Sequence, residues 1–167
     1  MTETLRIYRP SVPMGYEWAV PVDDEDFEAI RAVGERRSGD PWEPIHMSLL
    51  KVDDRGKSQQ RSDLPWLGGH VLVLRDAAIE AVGDILRPHG ELLPLLCHEA
   101  RLALFSAPAV EGVLDEARSE MVRFGSGRIM ALLSPMFRRA ALGGVRAFKL
   151  AEMPRGDLYL TNQLVEA

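Results

Sequence analysis

Cysteine is nearly absent: Cys97 is the only one in 167 residues. That excludes a disulfide framework and a four-cysteine metal site, and a single thiol suits a reducing cytoplasm. Lysine is scarce as well. Of 20 basic residues only Lys51, Lys57 and Lys149 are lysine, and the rest are arginine, a bias that GC-rich coding produces. Long hydrophobic runs are missing: the longest uncharged apolar run is residues 92–97, far short of the ~20 residues a spanning helix needs. The N-terminal residues carry an acid at once, with no apolar core of signal-peptide length behind it. The expected location is therefore cytoplasmic, with no membrane partner. There is no excess of positive charge either, since 20 bases against 25 acids leave a net −5. That is the wrong balance for a general nucleic-acid binder.

What is present is ordinary globular composition, 46% apolar and 27% charged. A chain of this length buries roughly 70% of its unfolded surface and needs no staples. Fourteen glycines and eleven prolines imply many turns and few long helices. Residues 1–70 are acidic and turn-rich, with 13 acids against 9 bases. Residues 5–8 alternate and read as a short strand ending at Pro10. The acids Asp23, Asp24, Glu25 and Asp26 open a short helix, where carboxylates suit the positive helix end, and Gly34 closes it. Residues 35–67 have no sustained periodicity, although a strand or helical turn is expected within 45–52.

From His70 the pattern firms. Residues 71–74 read as a strand, and Asp76 as the N-cap of a helix that Pro88 stops. Residues 91–96 and 102–105 read as a hairpin. Residues 107–120 are ambiguous between helix and extended arm. Gly125, Ser126 and Gly127 make a tight turn into a strand at 128–133. Pro135 is expected to open a short helix through Leu142, strands follow at 145–150 and 157–160, and Thr161 can cap a last helical turn. Strands with irregularly interspersed helices imply an α+β fold, a single domain over residues 1–167 with a mixed or largely antiparallel sheet and a few short helices.

Candidate chemistry is sparse. Cys97, His98 and Glu99 are adjacent, but neighbouring side chains diverge in a strand or turn, which argues against a working thiol–imidazole pair. A pocket near Cys97 and His98 is nonetheless where an enzyme would have to build its site. His46, His70, His89 and His98 show no metal-ligand spacing. Gly68-Gly69-His70 and Gly125-Ser126-Gly127 lack phosphate-loop and nucleophile-elbow patterns and read as turns. Eight bases lie between Arg118 and Arg155 against Glu120 and Glu152. They lack the aromatic interleaving of a stacking platform, so no nucleic-acid partner is expected. No catalytic residue, cofactor or metal is assigned. Trp18, Trp42 and Trp66 lie in the turn-rich half, where aromatics either anchor loops or serve as interface hot spots.

Three blocks stand in order in the C-terminal half. Residues 91–96 read ELLPLL. Residues 113–120 read VLDEARSE and are followed by Gly127, Arg128 and Ile129. The last block joins Phe148, Lys149 and Leu150 to residues 154–161, PRGDLYLT. In this order and spacing they resemble the myxobacterial-type immunity-protein family of bacterial polymorphic toxin systems, with Leu114, Asp115, Ser119, Gly127, Arg128, Phe148, Lys149, Tyr159 and Thr161 at the motif positions. The resemblance covers about residues 70–165. It implies a non-catalytic antitoxin that needs no cofactor and neutralises a cognate toxin or effector protein in the producer's cytoplasm, and it leaves homo-oligomerisation open. Asp115 and Ser119, four apart, would share a face if helical. They are expected to be structural, bonding nearby backbone. Loops vary and bind, so Asp23, Asp24, Glu25, Asp26, Trp42 and Trp66 are the expected partner-binding residues.

Overall fold

A computed structural model describes residues 4–167 of the chain. In chain order its elements are β1 (Ile7–Tyr8), β2 (Trp18–Pro21), α1 (Asp26–Arg31) running into a 3-10 turn (Ala32–Glu35), β3 (Met47–Leu50), β4 (Leu72–Arg75) and α2 (Ala77–Leu86). A second 3-10 turn (Arg87–His89) leads to β5 (Glu91–Leu95), β6 (Leu102–Ser106), β7 (Ala109–Val110), β8 (Glu120–Arg123) and β9 (Ile129–Ser134). The chain continues through α3 (Arg139–Leu142), β10 (Ala147–Leu150), β11 (Tyr159–Thr161) and α4 (Asn162–Val165). The fold is α+β, with mostly antiparallel pairing and short helices.

Two sheets organise the core. In the first, β6 lies between β4 and β5, antiparallel to both. The β2–β3 pair extends this sheet: Met47 donates its amide to the Leu96 carbonyl (2.7 Å), and Leu96 donates to that of Ile45 (2.9 Å). In the second, β10 lies between β11 (antiparallel) and β7 (parallel), and β1 pairs with the far edge of β11. The β8–β9 hairpin stands beside it as a two-stranded unit.

All five residues of β6 are buried. Leu102 and Leu104 face one apolar cluster with Ala19, Ile30, Met47, Val73 and Leu93, while Phe105 turns the other way, against Leu74, Leu86 and Leu158. That is the period-2 alternation of a strand covered on both faces. A third cluster gathers Val113, Leu114, Leu142, Phe148, Leu150 and Tyr159. Gly34 is required by space: a Cβ there would lie 1.7 Å from the Pro154 carbonyl oxygen. The 3-10 turn thus packs flush on the loop before β11.

Several local expectations are corrected. The acidic run does not itself form the helix. Asp23, Asp24 and Glu25 make the preceding turn, in which Asp23 Oδ1 accepts the Glu25 amide (3.0 Å), and α1 starts at Asp26. Gly34 does not end the helical path, which continues as the 3-10 turn. Asp76 stands at the N-cap position with φ of 47°, but its carboxylate does not cap α2; Oδ1 accepts the Arg101 amide instead (2.9 Å). Thr161 precedes α4 without a side-chain cap bond, and its buried hydroxyl finds no partner. Pro135 opens no helix, because Phe137 bridges to Leu114 in extended conformation and α3 begins only at Arg139. The 107–120 segment is extended and turn-like, with strand β7 at its start.

Candidate interaction face

Strand β2 alternates outward and inward side chains, and the preceding residues keep the same period. Val12, Met14, Tyr16 and Trp18 are exposed, Met14 to 90%. Trp18 lies opposite Leu50 in the β2–β3 register, and Val52 follows two residues further along the same face. Leu50 and Val52 are exposed as well. Together these six side chains line a groove of about 280 Å³ whose rim carries Asp53 and Asp54. Asp53 is fixed by its own turn, since Oδ1 accepts the amides of both Arg55 and Lys57 at 2.9 Å.

The face has a rigid, charged foundation. Glu17, between Tyr16 and Trp18, points inward, is 3% exposed, and forms an ion pair with the nearly buried Arg75 of β4. Its Oε1 also accepts the Ser62 amide (3.1 Å). Arg75 Nε continues to Asp76 (3.2 Å), which also accepts from Arg61 (3.1 Å). Asp76 is held below the usual carboxylate range, chiefly by the Arg101 amide, with Arg75 and Arg61 adding to it. Backbone bonds complete the mounting: Glu17 donates to Gln60 and Ala19 to Trp66, both at 2.9 Å.

The expected partner-binding residues fall in three places. Trp66 is half-buried and bridges to Trp18, at the groove. Asp23, Asp24 and Glu25 are exposed and Asp26 half-buried, in the turn and helix start beyond the opposite end of β2. Trp42 is anchored elsewhere: its indole N–H donates to the Pro94 carbonyl (2.8 Å) and the Arg36 guanidinium lies 5.3 Å from its ring. The groove residues Val12, Met14, Tyr16, Leu50 and Val52 escaped the reading of the sequence. The signal was there, in the i, i+2 alternation from Val12 to Trp18, but the prolines at 10, 13 and 21 masked it.

The motif residues do not form one surface. Leu114, Phe148 and Tyr159 are buried in the third cluster. The Phe148 and Tyr159 rings stack at 5.4 Å, and Phe137 stands edge-on to both. Asp115 and Ser119 form a clamp. Ser119 donates its hydroxyl to the Asp115 carbonyl (2.6 Å) and accepts the Met136 amide (2.8 Å), while Asp115 donates its amide to the Met136 carbonyl (2.8 Å). Gly127, with φ of 87°, turns the β8–β9 hairpin, and Arg128 lies over the Phe124 ring at its tip. Thr161 pairs with Ile7 of β1.

Lys149 is the unusual member, fully buried, with Nζ 3.4 Å from the Pro154 carbonyl. Burial lowers its pKa to about 8, against the pull of Asp157. Beside it His70 is pushed down to about 4, first by burial and then by the charges of Lys149 and Arg31.

Of the seven arginines from 118 to 155, three are paired with carboxylates: Arg123 with Glu116, Arg138 with Asp115, and Arg155 with Glu28 and Glu35. Cys97 is half-buried on the first cluster, and neither it nor His98 lines the groove. Among the described residues no group of His, Cys, Asp or Glu converges as a metal site, and no helix is long and apolar enough to cross a membrane. No family model matches the chain, and a search of curated proteins finds no match.

Proposed function

We propose that this protein is an immunity protein, a non-catalytic antitoxin that binds and neutralises a cognate bacterial toxin in the cytoplasm of the producing cell. The observation that carries the reading is the groove of Val12, Met14, Tyr16, Trp18, Leu50 and Val52. Six apolar side chains share one exposed face on a strand pair braced by the Glu17–Arg75 pair. A contiguous apolar patch with a polar rim is how interaction sites differ from ordinary surface. The aromatic anchors Trp18 and Tyr16 are the residue types that dominate binding energy. Asp53 and Asp54 at the rim, with Asp23, Asp24 and Glu25 beyond β2, favour a partner with a basic surface. Trp66 bridges to Trp18 through the backbone, while Trp42 contributes by holding the loop that contains it. The order of the C-terminal motif blocks supports the same assignment.

The test is co-purification with the product of the adjacent reading frame, followed by titration of the variant Trp18→Ala/Leu50→Ser. We expect a stable complex with a toxin-type protein and a dissociation constant raised about 30-fold or more, the loss of one hot spot, with thermal unfolding unchanged. A neighbour without toxin character and no complex, or a complex indifferent to both substitutions, overturns the reading.

A further inference from the structure

A second cleft, of about 490 Å³, lies away from the groove, where four distant segments meet. Its lining is unlike the rest of this acidic protein. Arg36, Arg87 and Arg146 converge there with His89, and Glu91 is the one carboxylate among them. Glu91 is already engaged: Oε1 accepts the Gly39 amide (3.1 Å), and Oε2 sits 3.7 Å from Arg36 Nε, too far for a hydrogen bond. Two donors are left unsatisfied at this place. Arg36 Nε is buried without a hydrogen-bond partner, although its other two nitrogens are tied to the Asp40 and Pro41 carbonyls at 2.8 Å. The hydroxyl of Ser106, a residue 5% exposed, also has none. Arg146 is exposed and has no carboxylate partner among the described residues, whereas Arg87 keeps its pair with Asp84.

Leaving buried donors unpaired is costly unless a ligand or water meets them. Against three guanidinium groups stand Glu91 in the cleft and Asp84 on Arg87, so the place keeps a net positive charge, centred on the unpaired Arg146, that suits an anion. Guanidinium forks and a hydroxyl are the donors that tetrahedral phosphate oxygens take. The volume greatly exceeds a bare phosphate and falls in the range of small-molecule sites. We propose that this cleft binds a phosphomonoester of mononucleotide or sugar-phosphate size, its phosphoryl group held by Arg36, Arg146 and Ser106 and its organic part lying toward His89. The site is independent of the toxin-binding reading.

Calorimetric titration of the full chain with AMP, glucose 6-phosphate, adenosine and inorganic phosphate tests this. At least one of the two esters should bind at least about ten-fold more tightly than adenosine and than inorganic phosphate, and binding should weaken as salt rises. Arg146→Glu, at an exposed and unpaired position, should lower that affinity about ten-fold or more while leaving the thermal midpoint unchanged, and Ser106→Ala should lower it several-fold. The proposal is overturned if neither ester binds at millimolar concentration, if Arg146→Glu binds as the wild type does, or if inorganic phosphate binds as tightly as the esters.

Discussion

The molecule carries two antiparallel strand pairs with exposed apolar side chains, β2–β3 and the hairpin β8–β9, and they are built differently. In β2–β3 the register runs unbroken from Trp18–Leu50 to Pro21–Met47. One face is locked into the first cluster, and the exposed face has acids at its margin. In β8–β9 the register slips twice, and the residues left over at the slips are Met130 and Leu133, which are 48% and 60% exposed. A bulge re-aims one side chain and twists the strand. The second hairpin therefore turns Met130 and Leu133 outward at its slips, with Arg123 and Arg128 around its tip. Exposed hydrophobic residues alone do not make a binding face; continuity of register decides whether they act together.

Substitutions at the roots of the two strand pairs test this contrast most severely. Glu17→Ala removes the carboxylate under the first groove and leaves the buried Arg75 with Asp76 alone as its carboxylate partner among the described residues. It should cost about 3–5 kcal/mol in denaturant unfolding, and a loss below 1 kcal/mol would mean that the pair does not brace β2. Phe137→Ala takes away the ring on which the second hairpin leans against Phe148 and Tyr159. A cost of about 3 kcal/mol is expected, together with earlier exposure of β8–β9 in hydrogen exchange.

Acid titration probes the ground outside both strand pairs, where His70 lies near Lys149, Arg31 and Asp157. The native His70 imidazole resists protonation down to about pH 4, whereas the unfolded one binds its proton near 6.5. The unfolded state therefore holds more protons between these values, and stability falls as pH drops from 6.5 to 4. The effect is on the order of 2–3 kcal/mol, and His70→Asn should flatten that segment of the stability profile. The smallest effect is expected at the bulges. Met130→Ser with Leu133→Ser should move stability by no more than about 0.5 kcal/mol per site and leave binding of the proposed partner unchanged. A lost complex would place the partner on the second hairpin instead.

The fold class, the hairpin of β5 and β6, the helix before Pro88 and the strand at Phe148 were legible because hydrophobic period and turn residues agreed there. Strands β2 and β8 were not, since Pro21 closes one and Glu120 and Arg123 flank the other. Their pairing comes from partners 30 residues away in one case and from a turn with two slips in the other. Asp76 and Thr161 have the right identity for helix caps, but tertiary demand prevailed over local preference: the Asp76 carboxylate is claimed by Arg101 and Arg61. The groove was written in the sequence as an alternation, yet its depth depends on Leu50 and Val52 crossing from another segment. The phosphate cleft was invisible, because its four segments span residues 33 to 147.

Strand β1, one of the two shortest, bears on how the protein is made. Ile7 and Tyr8 find their partners at Thr161 and Leu160, and Asn162, itself buried, exchanges bonds with the Arg6 backbone in both directions. Ile7 and Tyr8 must wait for residues about 150 positions later to leave the ribosome before they can pair, so the closing of this sheet is a long-range event in folding. Until then the edge of β11's future sheet stays open, and the nascent chain depends on the locally paired β4–β6 unit to hold its first core together.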